Sequence, residues 1–274
     1  MTTQPSRSGN TASESHPSSG DTSWSTSVLN RFWPQTGERW IPYTRPLSWW
    51  PDVLMLLAVV VVTTLLLWRS PMALLDVALR DWALATRPEW AFVLADIARY
   101  VGQGTPLAIF VLGFAVITAW RYRTIRPLLL HVSVLLAATL SIRLCKLVFD
   151  RVAPRFPDTD GPPPYVDVDG SLLFSGLDHM SYPSGHAANT AAWYGLIVML
   201  IGMHMSRRWR TILYVAPPAV LVVAQLYTTY HWISDVIAGY LIGLVVIRMI
   251  QRVPWGTMRL GPLAKYDRGP ITPG

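Results

Sequence analysis

The chain has 274 residues, of which 51% are hydrophobic and only 14% are charged. This balance is too apolar for an ordinary soluble domain and is typical of a multi-pass membrane protein. The formal net charge of +7 does not indicate a nucleic-acid partner, because the basic residues cluster between apolar segments, where they act as topology signals.

The first 50 residues differ in composition from the rest of the chain. Residues 1–23 are rich in Ser, Thr, Gly and Pro and predict a disordered tail. No charged stretch followed by an apolar core occurs there, so no cleavable signal peptide is expected. Residues 24–50 mix five tryptophans with three arginines, which predicts an interfacial segment at the level of the lipid headgroups.

Six apolar segments follow, each offering most of the roughly 20 apolar residues that a membrane-spanning helix needs. We therefore predict an all-α fold, an integral membrane six-helix bundle over residues 51–251. Between the first two spans, residues 71–100 predict an extra amphipathic helix at the membrane interface. The six spans lie near residues 51–68, 103–120, 127–149, 186–206, 211–231 and 234–251.

The connecting loops set the orientation of these spans. Arginines dominate the loops after the second and fourth spans and the tail at 252–274, whereas aspartates dominate the loop after the third span. The positive-inside rule then places both termini in the cytoplasm of a cell-membrane protein. Under this topology His186, which begins the fourth span, and His231, which ends the fifth, both face the extracytoplasmic side. Lys146, near the end of the third span, reaches the same side.

These residues suit phosphoryl transfer. His231 and Asp235 are four residues apart and would share one face of a helical turn, so the carboxylate could fix the imidazole tautomer and leave a nucleophilic nitrogen. Ser184 and Gly185 mark the start of a helix, where free amide groups bind anions. Lys146 would add a positive charge. Without Pro-Ser-Gly-His at 183–186 on the same side of the membrane, His231 and Asp235 could equally form a structural hydrogen bond.

Three motifs in this chain resemble the type 2 phosphatidic acid phosphatase (PAP2) family, which shares its fold with the vanadium haloperoxidases. Pro-Ser-Gly-His stands complete at 183–186, His231 and Asp235 keep the spacing of the third motif, and Lys146 and Pro154 keep part of the first. The resemblance covers residues 127–251 and implies a six-helix bundle of PAP2 type.

The family implies a mechanism as well as a fold. His231 would attack phosphorus and form a phosphohistidine, Asp235 would orient His231, and His186 would act as acid and then as base. The substrate would be a lipid phosphate such as phosphatidate, phosphatidylglycerol phosphate or a polyprenyl phosphate or diphosphate, and no metal or cofactor would be needed. The implied phosphate-binding residues are Lys146, Ser184 and Gly185, and we add Arg151.

Arg151 is added because two family arginines are missing. Their positions hold Ala153 and Gln225, and Arg151 and Arg155 are the nearest replacements, of which we favour Arg151. Because these two arginines are absent, two alternative functions stay open: a lipid headgroup phosphotransferase and a non-catalytic lipid-phosphate binder. A metal site made of both histidines and Asp235 is disfavoured, because no cysteine or further acidic ligand accompanies them at a typical spacing. Nothing in the sequence indicates an oligomeric state.

Overall fold

The computed structural model describes residues 40–44, 48–154, 167–174 and 180–267. The predicted tail at 1–23 and most of the interfacial segment lie outside these ranges. Within them the regular structure is helical, with two isolated β-bridges, so the predicted all-α class is confirmed. The α-helices in chain order are α1 (Trp50–Leu65), α2 (Pro71–Thr86), α3 (Glu89–Ala98), α4 (Gly104–Tyr122), α5 (Arg126–Val148), α6 (Gly185–Ile201), α7 (Arg207–Thr228) and α8 (Ile233–Gln251).

Four of these helices, α4, α5, α7 and α8, are long and apolar enough to cross a membrane. They coincide with four of the predicted spans and make this a membrane protein. The other two predicted spans coincide with shorter helices, α1 with 16 residues and α6 with 17. A six-span count therefore stays a prediction.

The segment predicted as one interfacial helix, residues 71–100, forms two helices. The break falls at Arg87 and Pro88, where Arg87 has extended backbone with φ −72° and ψ 125°. The ring of a proline disfavours helical backbone in the residue before it, which ends α2 at this point. A 3₁₀ turn, Arg99–Gly102, then leads into α4. The placement of this segment at the membrane interface stays a prediction.

Helix α6 forms the centre of the bundle, since twelve of its seventeen residues are buried. Helix α8 runs in the same direction and packs against it through two glycines one turn apart. A Cβ atom on Gly239 would lie 2.2 Å from the carbonyl oxygen of Ser184, and one on Gly243 would lie 2.4 Å from that of Ala188. Small residues at this spacing allow backbones to touch. The N-termini of α6 and α8 are therefore held side by side.

Arginines stabilise the opposite end of the bundle. Arg126, the first residue of α5, donates from Nη2 to Asp267 at 2.7 Å, so the predicted cytoplasmic tail packs back onto the helices. Asp52 in the first turn of α1 accepts from Arg248 at 2.5 Å near the end of α8. These pairs join the helix ends on one side of the bundle, and the histidines of the candidate site lie on the other.

Candidate active site

His231 and Asp235 are brought together at the start of α8. The Nδ1 atom of His231 lies 3.4 Å from Oδ2 of Asp235 and 3.3 Å from the hydroxyl of Ser181. Ser181 also donates to Oδ2 of Asp235 at 2.5 Å. Because an ionised carboxylate only accepts hydrogen bonds, this arrangement favours a proton on Nδ1 and leaves the lone pair on Nε2.

The local backbone differs from the helical turn that we predicted for these two residues. Helix α7 ends at Thr228, and Thr229 takes a left-handed conformation with φ 55°. His231 therefore lies in a turn before α8. Asp235 is in the first turn of α8 and accepts from the backbone N–H of Trp232 at 3.1 Å. The carboxylate bends back to cap its own helix, and this brings it to the imidazole.

His186 lies opposite His231 at the start of α6. The two ring centroids are 5.8 Å apart and the ring planes are inclined by 66°. His186 is partly accessible, and the side chain of His231 is 10% exposed. Two imidazoles at this separation could lie on either side of a group bound between them, as nucleophile and acid–base pair.

Ser184 and Gly185 form the start of α6 as predicted, but only part of the expected anion site remains. The hydroxyl of Ser184 caps the helix by accepting from Ala187 N–H at 3.4 Å. The backbone N–H of Ser184 donates to the carbonyl of Asp235 at 2.9 Å, so it is already used. The amides of Gly185 and His186, in the first helical turn, are the donors suited to an anion.

Lys146 reaches the same end of the bundle from the last turn of α5. Its Nζ donates to the carbonyl of Met180, and its charge acts on both His186 and Asp235. The structure thus places a cation from the third predicted span beside residues from the fourth and the sixth.

Arg151 does not fit the role of a phosphate clamp. Its side chain is 0% exposed and lies behind Asp235. Its Nε donates to the carbonyl of Ser171 at 2.6 Å, its Nη1 to Ser234 and Asp235, and its Nη2 to Asp76 at 2.6 Å. Every guanidinium nitrogen is occupied by the protein. The other candidate, Arg155, lies outside the described residues.

Arg99 is a cation near the site that the sequence motifs did not indicate. It stacks on Tyr230, the neighbour of His231, with 5.0 Å from the guanidinium carbon to the ring centroid. The same turn packs onto α6, where a Cβ atom on Gly102 would lie 2.7 Å from the carbonyl oxygen of His186. The charge of Arg99 acts on His186. No motif includes it, because it comes from the segment before the second predicted span.

The alternative metal site gains no support from these positions. Among residues 40–44, 48–154, 167–174 and 180–267, no group of three or more His, Cys, Asp or Glu side chains is arranged to hold a metal ion.

Replacement of Gly239 by Ala is expected to disturb the site by displacing the start of α6. The new Cβ would fall 2.2 Å from the Ser184 carbonyl, and such overpacking costs about 1–3 kcal/mol of unfolding free energy. Thermal unfolding in detergent should show a lower Tm, with lower activity in the remaining folded protein. Gly113→Ala is the matched control, because its Cβ would meet nothing within 4 Å. Equal Tm values for the two variants would contradict the predicted clash.

Comparison with known proteins agrees with the PAP2 resemblance of the sequence motifs. No curated protein is significantly similar in sequence. The crystal structure of the first transmembrane PAP2-type phosphatidylglycerolphosphate phosphatase from Bacillus subtilis has a similar fold, with a TM-score of 0.58 and 18% identity, over 73% of this chain and 94% of that one. The PAP2 superfamily profile matches residues 126–259. The matched region is the part of the chain that carries His186, His231 and Asp235.

Proposed function

We propose that this protein is a membrane phosphatase that hydrolyses a phosphomonoester or diphosphate of a lipid. The observation that carries the proposal is the placement of His231, with Nδ1 3.4 Å from Asp235 and its ring 5.8 Å from that of His186. A nucleophile, an orienting carboxylate and a second imidazole are the groups that two-step phosphoryl transfer requires.

In the first step Nε2 of His231 attacks phosphorus in line. The bond from phosphorus to the leaving oxygen breaks, and His186 gives that oxygen a proton. In the second step His186 takes a proton from water, the water oxygen attacks phosphorus, and the bond to His231 breaks with its electron pair returning to Nε2. Asp235 holds the imidazole in the required tautomer and stabilises its positive charge in the phosphohistidine.

Charge on the phosphoryl oxygens must be neutralised, because catalysis of phosphoryl transfer rests mainly on positioning and electrostatics. We assign this role to Lys146, to Arg99 and to the amides of Gly185 and His186. Arg99 replaces Arg151 in our assignment, since its guanidinium stacks on Tyr230 and its charge acts on His186. Ser184 contributes by capping α6 and orienting those amides.

A lipid substrate is supported by the depth of the site. The histidines lie where apolar helices begin or end, so a phosphate bound there would be at headgroup level with its tails in the bilayer. The arginine-rich loops favour an extracytoplasmic site with both termini in the cytoplasm. Phosphatidylglycerol phosphate is the first substrate to test, since it is the substrate named for the similar structure. Phosphatidate and polyprenyl phosphates or diphosphates belong to the same chemical class.

The test is phosphate release by the purified protein from a panel of lipid phosphates, with EDTA present. We expect release from at least one lipid in EDTA, since no step above uses a metal, and none from His231→Ala. Release that EDTA abolishes and one divalent metal restores would contradict the metal-free mechanism. Transfer to an added alcohol without free phosphate would identify a phosphotransferase. Lipid binding without turnover would indicate a non-catalytic binder.

A further inference from the structure

A buried chain of charges lies behind Asp235. From these contacts we infer that Asp76 and Arg151 are positioning residues, which hold Asp235 in place and keep its negative charge available to His231. The inference rests on the proposed phosphohistidine chemistry and adds residues from outside the three motifs. Asp76 belongs to α2, which lies well before the region that the family profile matches.

Arg151 bridges the two carboxylates. It donates from Nη1 to Oδ1 of Asp235 and from Nη2 to Oδ2 of Asp76, and all three side chains are 0% exposed. The guanidinium also lies 5.4 Å from the ring centroid of Trp232. The planar guanidinium of Arg151 is fixed on several sides and has little freedom to move. It therefore holds Oδ1 of Asp235 in place, while Oδ2 of Asp235 faces His231.

Asp76 is held entirely by donors. Its Oδ1 accepts from the backbone N–H of Ser234 at 3.0 Å, and its Oδ2 accepts from the hydroxyl of Ser234 and from Arg151. Burial raises the pKa of the Asp76 carboxyl and the nearby charge of Asp235 adds to this shift, whereas the Arg151 guanidinium and the Ser234 hydroxyl oppose it. Because every hydrogen-bond partner donates, the arrangement suits a carboxylate anion.

The charges explain why a second carboxylate matters. Arg151 and Asp235 alone would form a neutral pair, in which the guanidinium offsets the attraction of Asp235 for a positive imidazole. With Asp76 ionised, the three groups carry a net charge of −1, and this charge is matched when His231 becomes positive in the phosphohistidine. Electrostatic interactions are strong in such a water-excluded place. Asp76 therefore favours formation of the intermediate without touching the substrate.

The test is the kinetics of Asp76→Asn, which keeps the shape of the side chain and removes its charge. We expect kcat and the single-turnover rate of phosphohistidine formation to fall about 10–100-fold, with KM within about threefold, because the affected interaction arises mainly after substrate binding. Asp52→Asn is the matched control. Asp52 is also a buried carboxylate paired with two arginines, at the opposite end of the bundle, so it should change Tm but not kcat per folded protein.

A double variant separates the electrostatic role from a packing role. Asp76→Asn with Arg151→Gln removes both charges of the pair, so Asp235 is no longer offset, and kcat should recover part of what Asp76→Asn loses. If Asp76 and Arg151 act only through packing, kcat of the double variant should instead fall below that of Asp76→Asn. If Asp76→Asn does not fold, the double variant is compared with Arg151→Gln, and a double variant at least as fast as Arg151→Gln would contradict a contribution of the Asp76 charge to kcat.

Two outcomes would overturn the inference while the wild type is active. One is a kcat within about twofold of wild type for folded Asp76→Asn, and the other is an equal loss of kcat in Asp76→Asn and Asp52→Asn. An inactive wild type would instead overturn the proposed function, and this inference with it.

Discussion

Replacement of His231 by Gln is expected to lower kcat for lipid-phosphate hydrolysis by about 10⁴-fold or more, as happens when the nucleophile of a covalent mechanism is removed. A glutamine side chain keeps a polar group near Asp235 and Ser181 but has no nitrogen lone pair that can attack phosphorus. The loss should therefore appear in kcat, and substrate should still bind through Lys146 and Arg99.

Quenching with alkaline detergent, followed by work-up at alkaline pH, measures this prediction directly. Wild type mixed with radiolabelled substrate should carry an alkali-stable, acid-labile phosphoryl group, and His231→Gln should carry none. His204→Gln is the matched control, since His204 follows the far end of α6 from the site and contacts the hydroxyl of Tyr122 at 3.0 Å. A labelled His231→Gln, or an unlabelled wild type that still turns over, would show that another group attacks phosphorus.

Most of the helical architecture could be predicted because the membrane imposes a simple length and polarity requirement on each segment. The helix boundaries of α4, α5 and α8 lie within two residues of the predicted spans. Helix α7 begins at Arg207, four residues before the predicted start. Hydropathy alone excluded the arginines at this end from the predicted span, but arginine is compatible with helical backbone at the end of a membrane-spanning helix. The break at Pro88 was missed, although X-Pro sequences often end helices.

The pairing of His231 with Asp235 could be predicted because it is local, four residues apart in sequence. The role of Arg151 could not, because a motif register does not tell whether a side chain points into the site or into the core. Its partner Asp76 is 75 residues away. A signal for Asp76 did exist, since a carboxylate within the apolar stretch of α2 is costly unless it is paired.

Replacement of His186 by Asn is expected to affect the two chemical steps differently according to the leaving group. With a lipid phosphomonoester, kcat should fall about 10²–10⁴-fold, because the alkoxide leaves without a proton. With para-nitrophenyl phosphate the leaving phenolate is stable without protonation, so phosphohistidine formation should change much less.

The second step should then become visible. It still needs a base to take a proton from water, so the variant should accumulate phosphohistidine on His231 with the aryl substrate, whereas the wild type should not. The measurement is the phosphorylated fraction after quenching with alkaline detergent, compared with the release of nitrophenolate in the first turnover. An equal loss with both substrates and no accumulated intermediate would remove His186 from the acid–base role. Because the His186 ring lies 5.8 Å from that of His231, such a result would point to a role in binding the phosphoryl group instead.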